Sequence, residues 1–104
     1  MKFDRKTAKK LFLKLTTAQQ DEVIVLCGFD ELSLKCITLK HFQKWSYQEV
    51  IEILYHVKRS DVNFDNYEDK YKRLQRKAFD RMADIFNIHN NKEYSRLYRA
   101  LFSG

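Results

Sequence analysis

The sequence predicts an all-α fold, a small single domain of five to six helices over residues 1–104 that contains a helix-turn-helix. Three features predict it. The chain has no proline and only Gly28 and Gly104, so it lacks the punctuation that tight hairpins and all-β folds require. Its apolar residues recur at helical rather than alternating spacing. Finally, Thr17 with Gln20, Ser46 with Glu49 and Asn90 with Glu93 have the spacing of a capping box. With 44% hydrophobic and 14% aromatic residues, the chain carries enough apolar area to offset the entropy of ordering, which argues against disorder. A length of 104 residues supports one core with little to spare.

Lys6 to Leu15 reads as the first helix, with Ala8, Leu11, Phe12 and Leu15 on one face. Thr16 or Thr17 stops it and can cap the next; with the Thr17–Gln20 match the second runs from Ala18 to Cys27 and ends at Gly28, the usual residue for a left-handed C-cap. Its VIVL run also suits a short buried strand, but a lone strand has no partner in this sequence, so helix is expected. Asp30 caps a third helix, in which Leu32, Leu34, Ile37, Leu39 and Phe42 are expected to face inward for the most part. A four-residue turn then leads to Ser46. There the Ser oxygen should accept the Glu49 amide while the Glu carboxylate reaches back to the Ser46 amide, starting a fourth helix at Tyr47 with Val50, Ile51, Ile53 and Leu54 inward. Trp45, just before the cap, is placed to close over Val50 or Ile51 as a hydrophobic staple. This packing role outweighs stacking on a base.

From His56 to Asn66, Ser60, Asp61, Asn63, Asp65 and Asn66 favour turns and caps. The longest helix is expected from about Asn66 to Phe86, with Tyr67, Tyr71, Leu74, Ala78, Met82 and Ile85 in one stripe packed on helices three and four. A last short helix from Asn90 carries Tyr94, Leu97, Tyr98, Leu101 and Phe102.

The formal charge is +6, and Lys2, Arg5, Lys6, Lys9, Lys10 and Lys14 against Asp4 supply most of it within the first fourteen residues. A basic domain with a basic terminus favours nucleic acid or another polyanion, because neutralising phosphates releases counterions. A solvated lysine-rich helix accounts for the same pattern. Cys27 and Cys36 sit in apolar helical patterns without C-x-x-C spacing or a signal peptide, so two buried free thiols in a cytoplasmic protein are expected. No apolar run reaches the ~18 to 20 residues of a membrane span, so no membrane partner is expected.

Glu31 to Phe42, then Trp45-Ser46-Tyr47-Gln48-Glu49-Val50, then Tyr71-Lys72-Arg73-Leu74-Gln75-Arg76-Lys77-Ala78 followed by Met82, together resemble region four of bacterial sigma factors. They are likewise similar to the sigma-like helix-turn-helix regulators found in phages and mobile elements of low-GC bacteria. The resemblance covers roughly half of the chain, about residues 31–86. It implies a transcriptional regulator whose basic helix enters the major groove of double-stranded DNA. The region-two elements of a full sigma factor are absent, so promoter melting is not implied. The family joins its last two helices by a turn of a few residues, whereas Tyr55 to Asn66 intervenes here unless a short helix from Ser60 merges into the long one.

The candidate DNA-binding residues are Lys70, Lys72, Arg73, Arg76, Lys77 and Arg81 on the long helix. Lys58 and Arg59 precede it, and Lys6, Lys9 and Lys10 lie near the N-terminus. Lysines and arginines would hold phosphates while one arginine takes guanine O6 and N7 in a bidentate contact. The alternative is a solvated face closed by Asp69–Arg73 and Arg76–Asp80 pairs at i, i+4 spacing. Removing residues 1–14 is expected to weaken binding to every sequence and to flatten its salt dependence.

Neither a metal nor a cofactor is expected, since His41, His56 and His89 share no ligand spacing with the cysteines. The chain has no nucleophile elbow, zinc-protease motif or glycine-rich phosphate loop, so no enzyme is expected. The competing function is a small phage- or mobile-element-encoded interaction protein that binds and modulates a host polymerase, such as RNA polymerase, or a replication protein. Its motive is the terminal stripe of Tyr94, Tyr98, Leu101 and Phe102, which either closes the core or docks on a partner. A homodimer through that helix would suit a regulator reading two half-sites.

Overall fold

The computed structural model describes residues 2–88 and 91–102, side chains of 91–93 excepted. The elements are α1 (Arg5–Lys14), α2 (Thr17–Cys27), α3 (Glu31–Ile37), a π-helical turn (Thr38–Phe42), α4 (Tyr47–Tyr55), α5 (Phe64–Ile88) and α6 (Asn91–Phe102). The protein is all-α, with no strand among the described residues. Nor is any described helix long and apolar enough to cross a membrane.

The caps explain where the helices start. Asp4 accepts the Thr7 amide at 2.8 Å while Thr7 Oγ1 accepts the Asp4 amide at 3.0 Å, a reciprocal box that the Ser/Thr-to-Glu/Gln rule does not recognise. At α2 the box forms one residue earlier than expected. Thr16 Oγ1 accepts the Gln19 amide and Gln19 Oε1 accepts the Thr16 amide. Gln20 is drawn elsewhere, its side-chain amide donating to the Phe12 carbonyl at 2.7 Å and capping the end of α1. Gly28 ends α2 at φ 60°, as expected. Asp30 caps α3 through the Ser33 amide at 2.7 Å. Ser46 accepts the Glu49 amide at 3.3 Å, but the Glu49 carboxylate takes the Ser46 hydroxyl at 2.9 Å instead of the Ser46 amide. The expected Asn90–Glu93 cap lies outside the described residues.

The chain divides into two compact units, one formed by Met1–Gly28 with Phe79–Gly104 and the other by Phe29–Ala78. In the first, Phe3, Ala8, Leu11, Phe12 and Leu15 are buried, as are Phe79, Met82, Ile85 and Phe86. Phe12 meets Phe79 edge-on at 6.2 Å between ring centroids, and Phe3 lies 5.3 Å from Phe86 and 6.0 Å from Tyr98. Tyr94 packs 4.8 Å from Phe86, and Phe102 lies 4.7 Å from Tyr98. Four of the five residues of the α6 stripe are thus half-buried, while Leu101 is exposed.

The second unit is built on Cys36, Leu39, Val50, Ile51, Leu54, Phe64 and Tyr71, with Trp45, Tyr55, Val57, Tyr67 and Leu74 half-buried against them. Trp45 is thus half-buried against the cluster that contains Val50 and Ile51. The α5 stripe packs here on α3 and α4 only through its first part; Met82 and Ile85 belong to the other unit.

Three expected core positions are corrected. Leu32 and Leu34 face solvent, and Ser33, Cys36 and Ile37 take the inner face of α3. A seven-residue helix has one inner stripe, and 33, 36 and 37 satisfy its i, i+3, i+4 spacing where 32 and 34 cannot share it. Ile53 is likewise exposed, because Val50, Ile51 and Leu54 fill the inner face of α4. Beyond Ile37 lies the π-helical turn, within which Leu39, three residues after Cys36, is buried.

Candidate nucleic-acid interface

The candidate region begins with the α3–α4 pair in the second unit. Residues 43–46 join the π-helical turn to α4, with Lys44 in the left-handed region at φ 58° and the Trp45 amide donating to the Leu39 carbonyl at 3.1 Å. Lys40 Nζ donates to the Trp45 carbonyl at 3.4 Å. These bonds and the Ser46 cap hold the start of α4. Its C-terminus turns at His56, φ 55°, whose amide donates to the Glu52 carbonyl.

Residues 56–63 then connect α4 to α5. Helix begins at Phe64, so no helix starts at Ser60, and this connection remains longer than the turn of a few residues in the sigma-like family. It is closed by bonds of its own: the Lys58 amide donates to Asp61 Oδ2 at 2.9 Å, and the amides of Asp61 and Phe64 donate to the carbonyls of Lys58 and Asp61.

On α5 the burial of Tyr71 and Ala78 leaves Lys70, Lys72, Arg73, Arg76 and Lys77 exposed, as the helical period requires. Their surroundings differ. Lys72 pairs with Glu68 at 3.3 Å, and Lys70 Nζ sits 5.0 Å from the centre of the Tyr67 ring. Lys77 acts electrostatically on Asp30. The expected pairs Asp69–Arg73 and Arg76–Asp80 are not among the ion pairs of the described residues. Asp80 is taken instead by Arg5, Nε to Oδ1 at 2.9 Å. Arg73 and Arg76 thus present guanidiniums to solvent without an ion-pair partner among the described residues.

The remaining candidates fall into three settings. Arg59 pairs with Glu52. Arg81 Nε donates to the Cys27 carbonyl at 3.1 Å, satisfying a terminal carbonyl of α2, where a cation also complements the helix dipole. This makes Arg81 a helix cap as well as an exposed cation. Lys6, Lys9 and Lys10 are exposed on α1, with Lys9 Nζ 5.5 Å from the Phe79 ring centre. Lys58 is exposed. Nothing local in the sequence signals the Arg5–Asp80 pair, whose members stand 75 positions apart.

Below this surface, Gln75 joins the exposed and buried faces, its Nε2 donating to Tyr71 Oη at 3.1 Å and to Cys36 Sγ at 3.4 Å. Burial pushes the Cys36 thiol and the Tyr71 phenol each up to about 12, and the Cys27 thiol to about 11. These groups stay protonated at neutral pH and act as packing. No group of three His, Cys, Asp or Glu side chains is placed to hold a metal among the described residues. Comparison with protein families, curated proteins and solved structures finds no match for this chain.

Proposed function

We propose that the protein is a non-catalytic DNA-binding regulator that reads duplex DNA with Arg73, Arg76 and Lys77 of α5, positioned by the α3–α4 helix pair. The single observation behind this is that Arg73 and Arg76 stand exposed on α5 without ion-pair partners among the described residues, while Asp80 is paired with Arg5. An unpaired guanidinium gives up no existing bond when it takes a phosphate or the O6 and N7 of guanine. Lys58 and Lys70 flank this face within the same unit and suit phosphate contacts.

The interaction-protein reading rests on a terminal stripe in which Tyr94 and Tyr98 are half-buried against Phe86 and Phe3. It retains Val25, 78% exposed on α2, and Leu101.

Fluorescence anisotropy against mixed-sequence duplex and single-stranded DNA, repeated at several salt concentrations, tests the proposal. A steep log–log salt slope with a preference for duplex supports it. Absence of binding at low salt overturns it and directs the search to a protein partner.

A further inference from the structure

Within the first unit, α1 and α2 carry opposite charge on their solvent faces. On α1 that face presents Lys6, Lys9, Lys10 and Lys14 around Leu13, which is 46% exposed. On α2 it presents Asp21 and Glu22, followed by Val25. None of these charges has an ion-pair partner among the described residues. Residues 15–34 contain Asp21, Glu22, Asp30 and Glu31 and no lysine or arginine. Moreover, α2 is short of cover. Its run from Val23 to Leu26 is apolar on every side, a pattern that belongs to an enclosed helix, yet Val23 and Cys27 are the buried residues of α2 while Ile24 and Leu26 are half-buried and Val25 is exposed.

The two faces match in spacing as well as in charge. Lys9-Lys10-x-x-Leu13 and Asp21-Glu22-x-x-Val25 each set two charges one turn ahead of an exposed aliphatic side chain. Side by side and parallel, they put Lys9 opposite Asp21, Lys10 opposite Glu22 and Leu13 opposite Val25. One chain cannot make this contact with itself. Residues 15 and 16 join the helices, a connection that reaches about 10 Å and cannot run back along α1, which is about 15 Å long. We propose that the α1 face of one copy docks on the α2 face of a second copy, Leu13 against Val25 beside the two charge pairs. Covering the aliphatic side chains supplies the gain, and the charges set the register. Each copy offers both faces, so association closes as a symmetric pair or extends as a chain. The contact is independent of the DNA-binding reading.

The test is sedimentation velocity of the full chain over a concentration series, at low and at high salt. Association should appear at low salt and weaken as salt screens the charge pairs. Because Lys9 also lies over the Phe79 ring, the charge is reversed at Lys10 and at Glu22, both exposed. Lys10→Glu and Glu22→Lys should each weaken association about tenfold or more, since like charges then face each other. An equimolar mixture of the two variants should associate again, because the reversed charge of each meets that of the other. Val25→Ser should weaken association at both salt concentrations. A wild-type chain that remains a single copy throughout, or a mixture no better associated than either variant alone, overturns the proposal. Association indifferent to both charge reversals and lost in Leu101→Ser assigns the contact to α6 and overturns it. So does loss of duplex binding in Lys10→Glu by a chain that never associates, which gives the α1 face to nucleic acid.

Discussion

The side-chain amide of Asn87 clamps the backbone of Phe3 from both sides: the Phe3 amide donates to Asn87 Oδ1 at 2.8 Å, and Asn87 Nδ2 donates to the Phe3 carbonyl at 2.9 Å. The clamp ties the chain ahead of α1 to the last turn of α5, and it seats the Phe3 ring, 2% exposed, between Phe86 and Tyr98. Asn87→Ala removes both bonds and should lower stability by about 1–3 kcal/mol, measured by urea unfolding. Asn87→Asp retains the acceptor for the Phe3 amide but sets a carboxylate oxygen against the Phe3 carbonyl, so it should not recover the stability lost in Asn87→Ala. Equal stability of all three proteins would show that the clamp contributes nothing net.

Arginine-to-alanine changes at Arg73 and Arg76 should each weaken duplex binding. Where the arginine holds a phosphate, its replacement lowers the salt slope by about one unit and acts alike on all sequences. Where it reads a base, its replacement instead relaxes preference at one position, at a cost of about 1–3 kcal/mol. Anisotropy with a panel of singly substituted sites separates the two. The basic N-terminal segment needs a different experiment from deletion, because Phe3, Ala8, Leu11 and Phe12 are buried and their removal would dismantle the first unit. Replacement of Lys6 and Lys10 by glutamine leaves that core intact and should weaken binding to all duplexes equally.

Stability should fall at low pH through the helix caps. Hydrogen bonding from Ser33 holds the Asp30 carboxyl below the ordinary value of 3.8, and Thr7 does the same for Asp4. A carboxyl whose folded value is depressed stabilises the fold fully above its unfolded value. That contribution is lost as pH falls from about 3.8 through the lower folded value. Asp30→Asn keeps a capping oxygen but cannot titrate, so its helicity followed by circular dichroism should show a shallower acid transition than the wild type.

The thiols should behave in the opposite sense. Burial raises Cys27 to about 11 and Cys36 to about 12 from an ordinary value of 9.0, so the folded state holds both protons more tightly than the unfolded chain. Their contribution is complete below pH 9.0 and is lost as pH rises from there through the folded values. In native buffer at about pH 8, below the ordinary thiol value, labelling by a thiol reagent should be slow, and it should become rapid in denaturant. Fast native labelling of Cys36 would contradict its burial in the cluster it shares with Tyr71.

Much of the fold follows from interactions within a few residues of each other, and those the sequence itself determined. The i, i+3, i+4 spacing marked the inner face of α1, the Asp30 and Ser46 side chains marked the starts of α3 and α4, and Gly28 marked the end of α2, because each signal and its partner lie within one turn. The basic character of the outer face of α5 was legible for the same reason. Tertiary structure alone decided which of two apolar stripes α3 would bury, where Ser33 and Cys36 displace Leu32 and Leu34. It also decided which cations stay unpaired: Asp80 has Arg76 one turn away on its own helix, yet pairs with Arg5, brought beside it by the packing of α1 in the first unit. The two partners are equivalent in charge, so only the folded arrangement sets the choice.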